Sequence, residues 1–115
     1  MSVDLVRLED AERHTITNQQ WAFILLTAES YGWKPKGTNK FDDDGELLDD
    51  WDNNNYESND GQVVNGEDSE QLVICCKKAL NKINDNWEIK TLKSFINFAT
   101  VSDDNDPYYP GFEIW

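Results

Sequence analysis

TNQQWAFILLTAESY, residues 17–31, decides the fold. Trp21, Ile24, Leu25 and Ala28 stand at i, i+3, i+4 and i+7, the spacing that lines one face of a helix. Phe23 and Leu26 widen that apolar face. Thr17 or Asn18 caps the free backbone N–H groups at the start. Gly32 supplies a left-handed stop, and Pro35 bars a simple continuation.

Two further helices follow from the same kind of pattern. Residues 66–83 (GEDSEQLVICCKKALNKI) open after Asn65, a good N-cap. Glu67, Asp68 and Glu70 sit where the helix dipole favours negative charge, and Lys77, Lys78 and Lys82 where it favours positive charge. Leu72, Cys76, Ala79, Leu80 and Ile83 form the expected buried stripe, and Val73 and Ile74 make the helix apolar on more than one side. Residues 86–100 (NWEIKTLKSFINFAT) place Ile89, Leu92, Phe95, Ile96 and Ala99 on a core face, capped by Asn84, Asp85 or Asn86. SDDNDP ends that helix with turn residues, and Pro107 and Pro110 hold the tail extended.

The rest of the chain is less periodic. Residues 1–16 put Val3, Leu5, Val6 and Leu8 among charges and read as a short strand or an extended arm. Tyr56–Glu57 and Gln62–Val64 flank SNDG, which suits a hairpin because Asp-Gly fits a tight primed turn. GFEIW alternates apolar and charged residues and adds a short strand. The expected class is α+β, mainly α: a three-helix core with a small antiparallel β-hairpin or minor sheet. The 115 residues make one domain, with an acidic loop over residues 40–62 inside it.

That loop holds the most unusual feature of the chain. The net charge is −13. Twelve of the 23 acids lie between Phe41 and Cys76, where there is no Lys or Arg. The remaining residues are nearly balanced, with eleven acids against ten bases. Such a field repels nucleic acid and anionic lipid, and attracts cations and basic proteins. It also serves plain solubility. Residues 1–10 have no apolar signal-peptide core, and no apolar run approaches a membrane span. Cys75 and Cys76 are adjacent and cannot easily bridge each other, so free thiols in a reducing cytoplasm are expected.

The segments WAFILLTAESYGWKPKGT, YESNDGQVVNGEDSEQL, LKSFINFA and GFEIW together resemble a group of small, uncharacterised bacterial proteins. Their shape is Trp-x-x-Leu-Leu, Tyr-Gly-Trp-x-Pro-x-Gly-Thr, Tyr-x-Ser-Asn-Asp-Gly-Gln, a helix opening on Glu-Asp, Phe-Ile-x-Phe and a Gly-Phe-x-Ile tail. The match covers most of residues 21–115 and departs at SDDNDPYYP, where the group has a short basic-Gly link. The resemblance implies a shared fold and no activity. Some small acidic cytoplasmic proteins are immunity proteins for toxins, an analogy of size and charge.

Each candidate chemistry has a plainer reading beside it. An EF-hand loop with Gly45 at its sixth position gains Asp42 and Asp44 as ligands but meets Lys40 and Trp51 at its ends. With Gly61 at that position Ser58, Asp60 and Glu67 fit, and Tyr56 does not. Weak calcium binding to Asp42–Asp44 or to the Asp49–Asp52 cluster is the looser alternative. His14 is the sole histidine, and a lone His in a polar segment is most often an exposed side chain. No nucleophile motif or phosphate-cradling loop stands near it, so no catalytic residue, metal ligand or cofactor is assigned. Tyr31 and Trp33 either offer an aromatic surface or fold back and close the core, and the burial habit of Trp favours the second.

The reading that best joins these features is a cytoplasmic interaction protein, not an enzyme. Its expected surface is Asp42, Asp43, Asp44, Asp49, Asp50, Asp52 and Asp60, with Trp51 and Tyr56 as aromatic anchors. The expected partner is a basic protein, in one form a toxin that the chain neutralises; nucleic acid and membrane are not expected. The alternatives are a weak calcium-binding domain and an enzyme on a small polar substrate.

Overall fold

The computed structural model describes residues 2–34, 56, 62–101 and 106–115. The chain order is β1 (Ser2–Arg7), β2 (Arg13–Thr17), α1 (Asn18–Ser30), β3 (Gln62–Val64), α2 (Gly66–Leu80), α3 (Asn86–Ala99) and β4 (Phe112–Ile114). The four strands form one antiparallel sheet in the order β2-β1-β4-β3. The fold is α+β, with three helices around one core.

The first sixteen residues make a hairpin and not a lone arm. Ser2 pairs with Thr17 and Val6 with Arg13. Alternation then sends Val3, Leu5 and Ile16 to the buried face, while Asp4 and Thr15 share the other face and bond through the Thr15 hydroxyl at 2.7 Å. The turn has none of the usual glycine chemistry. Its left-handed residue is Ala11, at φ 59°. Asp10 supplies the missing order, because its carboxylate accepts from Arg7 Nε at 2.9 Å, Arg7 Nη2 at 2.6 Å and Glu12 N at 3.1 Å. The Arg7 guanidinium holds the Asp10 carboxyl down at about 2.

The GFEIW tail lies inside the sheet, not at its edge. Leu5 and Gln62 both pair with Ile114, so β4 joins the N-terminal hairpin to β3. Gln62–Val64, read as half of a local hairpin, therefore takes its partner from the C-terminus. Of the other half, Tyr56–Glu57, and its turn SNDG, residues 57–61 lie outside the described residues.

Each helix starts on a side-chain cap. Thr17 and Gln20 form a reciprocal capping box, with Gln20 N donating to Thr17 Oγ1 at 3.0 Å and Thr17 N to Gln20 Oε1 at 2.9 Å. Asn65 Oδ1 accepts from Asp68 N, and Asp85 Oδ2 from Glu88 N. Gly32, at φ 98°, turns the chain after α1.

The expected face of α1 is buried at all four positions, Trp21, Ile24, Leu25 and Ala28. Leu26 does not widen it, being 58% exposed. On α2 the stripe Leu72, Cys76 and Ala79 is buried, Leu80 is half-buried, and the helix ends at Leu80, which leaves Ile83 half-buried beyond it. On α3 Leu92, Phe95 and Ala99 are buried, Ile89 and Ile96 are half-buried, and Thr91 and Phe98 join the inside. The centre is aromatic. Phe112 sits edge-on to Trp21, Phe95 and Phe98 with ring centroids 5.8–6.1 Å apart.

Both cysteines are free and buried. Burial pushes the Cys76 thiol up to about 12, so little nucleophilic thiolate forms at Cys76 near neutrality. Iodoacetamide at pH 8 is expected to leave Cys76 unmodified in the folded chain and to alkylate it in denaturant, read by peptide mass spectrometry. Rapid labelling of folded Cys76 would contradict the packing.

Candidate functional site

Asp68 occupies a position that core spacing assigns to an apolar side chain. It stands four residues before Leu72 on the buried stripe of α2 and is 1% exposed. A carboxylate in that position needs donors on both oxygens. Trp33 Nε1 donates to Oδ1 at 2.9 Å, and Tyr56 Oη donates to Oδ2 at 2.7 Å. The opening of α2 adds its dipole, which favours negative charge at that end.

The same two aromatics hold each other. The Trp33 and Tyr56 rings lie 5.9 Å apart at 39°. Trp21 of α1 reaches across the core, and its Nε1 donates to the Tyr56 carbonyl at 2.6 Å. Trp33 is in turn tied to the end of α1, its N–H donating to Ala28 O at 3.1 Å. Residues 33 and 56 thus meet at one buried carboxylate, and the acid-rich part of the sequence runs between them and on to Asp68.

Tyr31 and Trp33 close the core, Trp33 at 4% exposed and Tyr31 half-buried. Tyr56 is 2% exposed, which makes it an anchor and removes it from any surface that a partner touches. Asp42, Asp43, Asp44, Asp49, Asp50, Trp51, Asp52 and Asp60 lie outside the described residues, and with them the calcium register centred on Gly45 and Ser58 and Asp60 of the one centred on Gly61. Among the described residues no three His, Cys, Asp or Glu side chains gather as metal ligands. No described helix is long and apolar enough to cross a membrane.

A shallow cleft of about 220 Å³ lies beside the buried carboxylate, between Tyr31, Trp33 and Lys34 on one side and Gln71, Ile74 and Lys78 on the other. Asp68 borders it, but both its oxygens are already taken by donors. That arrangement suits a structural clamp better than a general base, which needs a free lone pair facing substrate. His14 does not line this cleft. It is half-buried, not exposed, and stacks on Phe98 at 5.4 Å and 21°. The reason is its pairing with Leu5 on the edge strand β2, which turns it toward α3. Burial lowers its pKa.

Asp68 was the residue that local reasoning missed. Its charge at the start of a helix has a sufficient local explanation in the dipole. The signal that finds it is its place on the stripe Asp68, Leu72, Cys75, Cys76 and Ala79, where an acid needs buried donors. No family model, curated protein or solved structure matches the chain.

Proposed function

We propose that the chain is a cytoplasmic, bacterial interaction protein whose acidic segment binds a basic protein. The observation that carries this reading is the segregation of charge. Twelve acids and no base fall between Phe41 and Cys76, and the rest of the chain is nearly neutral. Solubility alone needs no such segregation, since scattered charge serves it equally well.

The buried clamp supports the same reading. Tyr56 and Trp33 are fixed in the core around Asp68, and in the sequence they flank the aspartates from 42 to 52. Asp42, Asp43, Asp44, Asp49, Asp50, Asp52 and Asp60 then provide the field that speeds encounter, and Trp51 the apolar anchor. Neutralisation of a basic toxin surface is the form of this binding that fits a small acidic chain.

The test is affinity capture from lysate of the native host with the chain as bait. It is run at about 50 mM and about 300 mM salt, where screening differs strongly. One basic protein retained at low salt and released at the higher is expected. Recovery of acidic proteins only, or of none at low salt, counts against the reading.

A further inference from the structure

A second place in the molecule has the marks of a binding site and owes nothing to the acidic segment. Between the edge strand β2 and helix α3 lie two hollows that meet at His14 and Ser94. The one toward the start of α3 measures about 250 Å³. Trp87, Lys90, Thr91 and Ser94 line it from α3, at i, i+3, i+4 and i+7. His14 and Gln20 line it from the other side. Among the described residues that line it there is no Asp or Glu, in a chain that has 23.

Two of these lining residues carry buried polar atoms without hydrogen-bond partners. Thr91 is 4% exposed, and its Oγ1 is unpartnered. His14 Nε2 is likewise buried and unpartnered. Buried polar atoms are almost always bonded, and of the four unpartnered ones among the described residues two belong to residues that line this one hollow. The Lys90 ammonium belongs to the same lining, and among the described residues no ion pair engages it.

The chemistry of the lining selects the ligand. Lys90 offers only donors, the Thr91 and Ser94 hydroxyls can each donate, and a neutral imidazole donates from Nε2 in one tautomer. A set of donors with one net positive charge and no carboxylate fits an acceptor-rich anion. The hollow is smaller than the roughly 300–1,000 Å³ typical of drug-sized ligands, so the occupant is small. Trp87 supplies an apolar wall for a short carbon chain. We propose that the hollow between β2 and α3 binds a small anionic metabolite through its phosphate or carboxylate group, held by Lys90, Thr91, Ser94 and His14.

The single histidine makes the test direct, because the imidazole signals in an NMR spectrum belong to His14 alone. The full chain is titrated at constant pH with inorganic phosphate, with acetate and with chloride at matched ionic strength. A saturable shift of the His14 signals is expected with phosphate or acetate and not with chloride. Phosphate alone points to a phosphate monoester, and a comparable response to acetate points to a carboxylate. Lys90→Ala, at an exposed position, is expected to weaken the apparent affinity at least about fivefold. Thr91→Val, which keeps the side-chain shape, is expected to weaken it as well. No saturable shift beyond that of chloride overturns the proposal. So does an unchanged affinity in either variant.

Discussion

Asp68→Ala is expected to cost about 3–5 kcal/mol of stability, a large share of what a domain of this size has in total. The estimate comes from what the substitution leaves behind. The Trp33 indole N–H and the Tyr56 hydroxyl stay buried and lose their acceptors, at about 1–3 kcal/mol each. The start of α2 loses a favourable charge, worth up to about 2 kcal/mol in a partly buried setting. The melting temperature should fall by roughly 10–20 °C. Asp68→Asn should fall between, because an amide oxygen still accepts one donor while its NH2 faces the other. Tyr56→Phe should cost about 1.5–3 kcal/mol, one hydrogen bond to a charged group without loss of packing. Thermal and urea unfolding of the three variants checks the order. An Asp68→Ala chain as stable as the parent would mean that the carboxylate is not the hub of this site.

Gly111→Ala is expected to be as damaging, by about 3 kcal/mol or more, for reasons of backbone alone. Gly111 has φ 87°, where a β-carbon costs about 1–2 kcal/mol. That carbon would also meet Val64 O at 2.6 Å and Asn65 C at 3.1 Å, and backbone cannot step aside as a flexible side chain can. The position matters because Gly111 leads into β4, the strand that joins the two halves of the sheet, and lies against the residue that caps α2. The strain therefore reaches both the sheet and the helix that carries Asp68. Urea unfolding gives the size of the loss. A neutral result would mean that β4 enters the sheet along another path.

These two residues also mark where the sequence was legible and where it was not. The helices announced themselves, since Trp21, Ile24, Leu25 and Ala28 repeat at the helical period and all four are buried. Caps at Thr17, Asn65 and Asp85 were readable because they act within three residues. The β1–β2 hairpin was not, because its turn is ordered by Asp10 and uses Ala11 where turn chemistry leads one to expect Gly or Asn. The central place of β4 was not, because strand pairing across about a hundred residues leaves no local trace. Asp68 was hidden for the same reason. Its partners stand 35 and 12 residues away, and its own neighbourhood reads as an ordinary acidic helix start. His14 read as exposed because nothing nearby in sequence reveals Phe98.

The segregation of charge, by contrast, is plain in the sequence. Trp33 and Tyr56, which flank the aspartates from 42 to 52 in the sequence, are both buried. The field of the aspartates explains why a basic partner would meet it quickly, with association rates raised at least about tenfold over a neutral surface at low salt.

The most direct measurement is a paired capture from the host lysate at about 50 mM salt. One bait is the native chain. The other carries Asn at positions 42, 43, 44, 49, 50 and 52, with an unchanged melting temperature as its control. The native chain is expected to retain a basic protein, and the neutralised chain at least about tenfold less of it. Equal retention by the two baits would contradict the claim that the acidic segment is the binding surface.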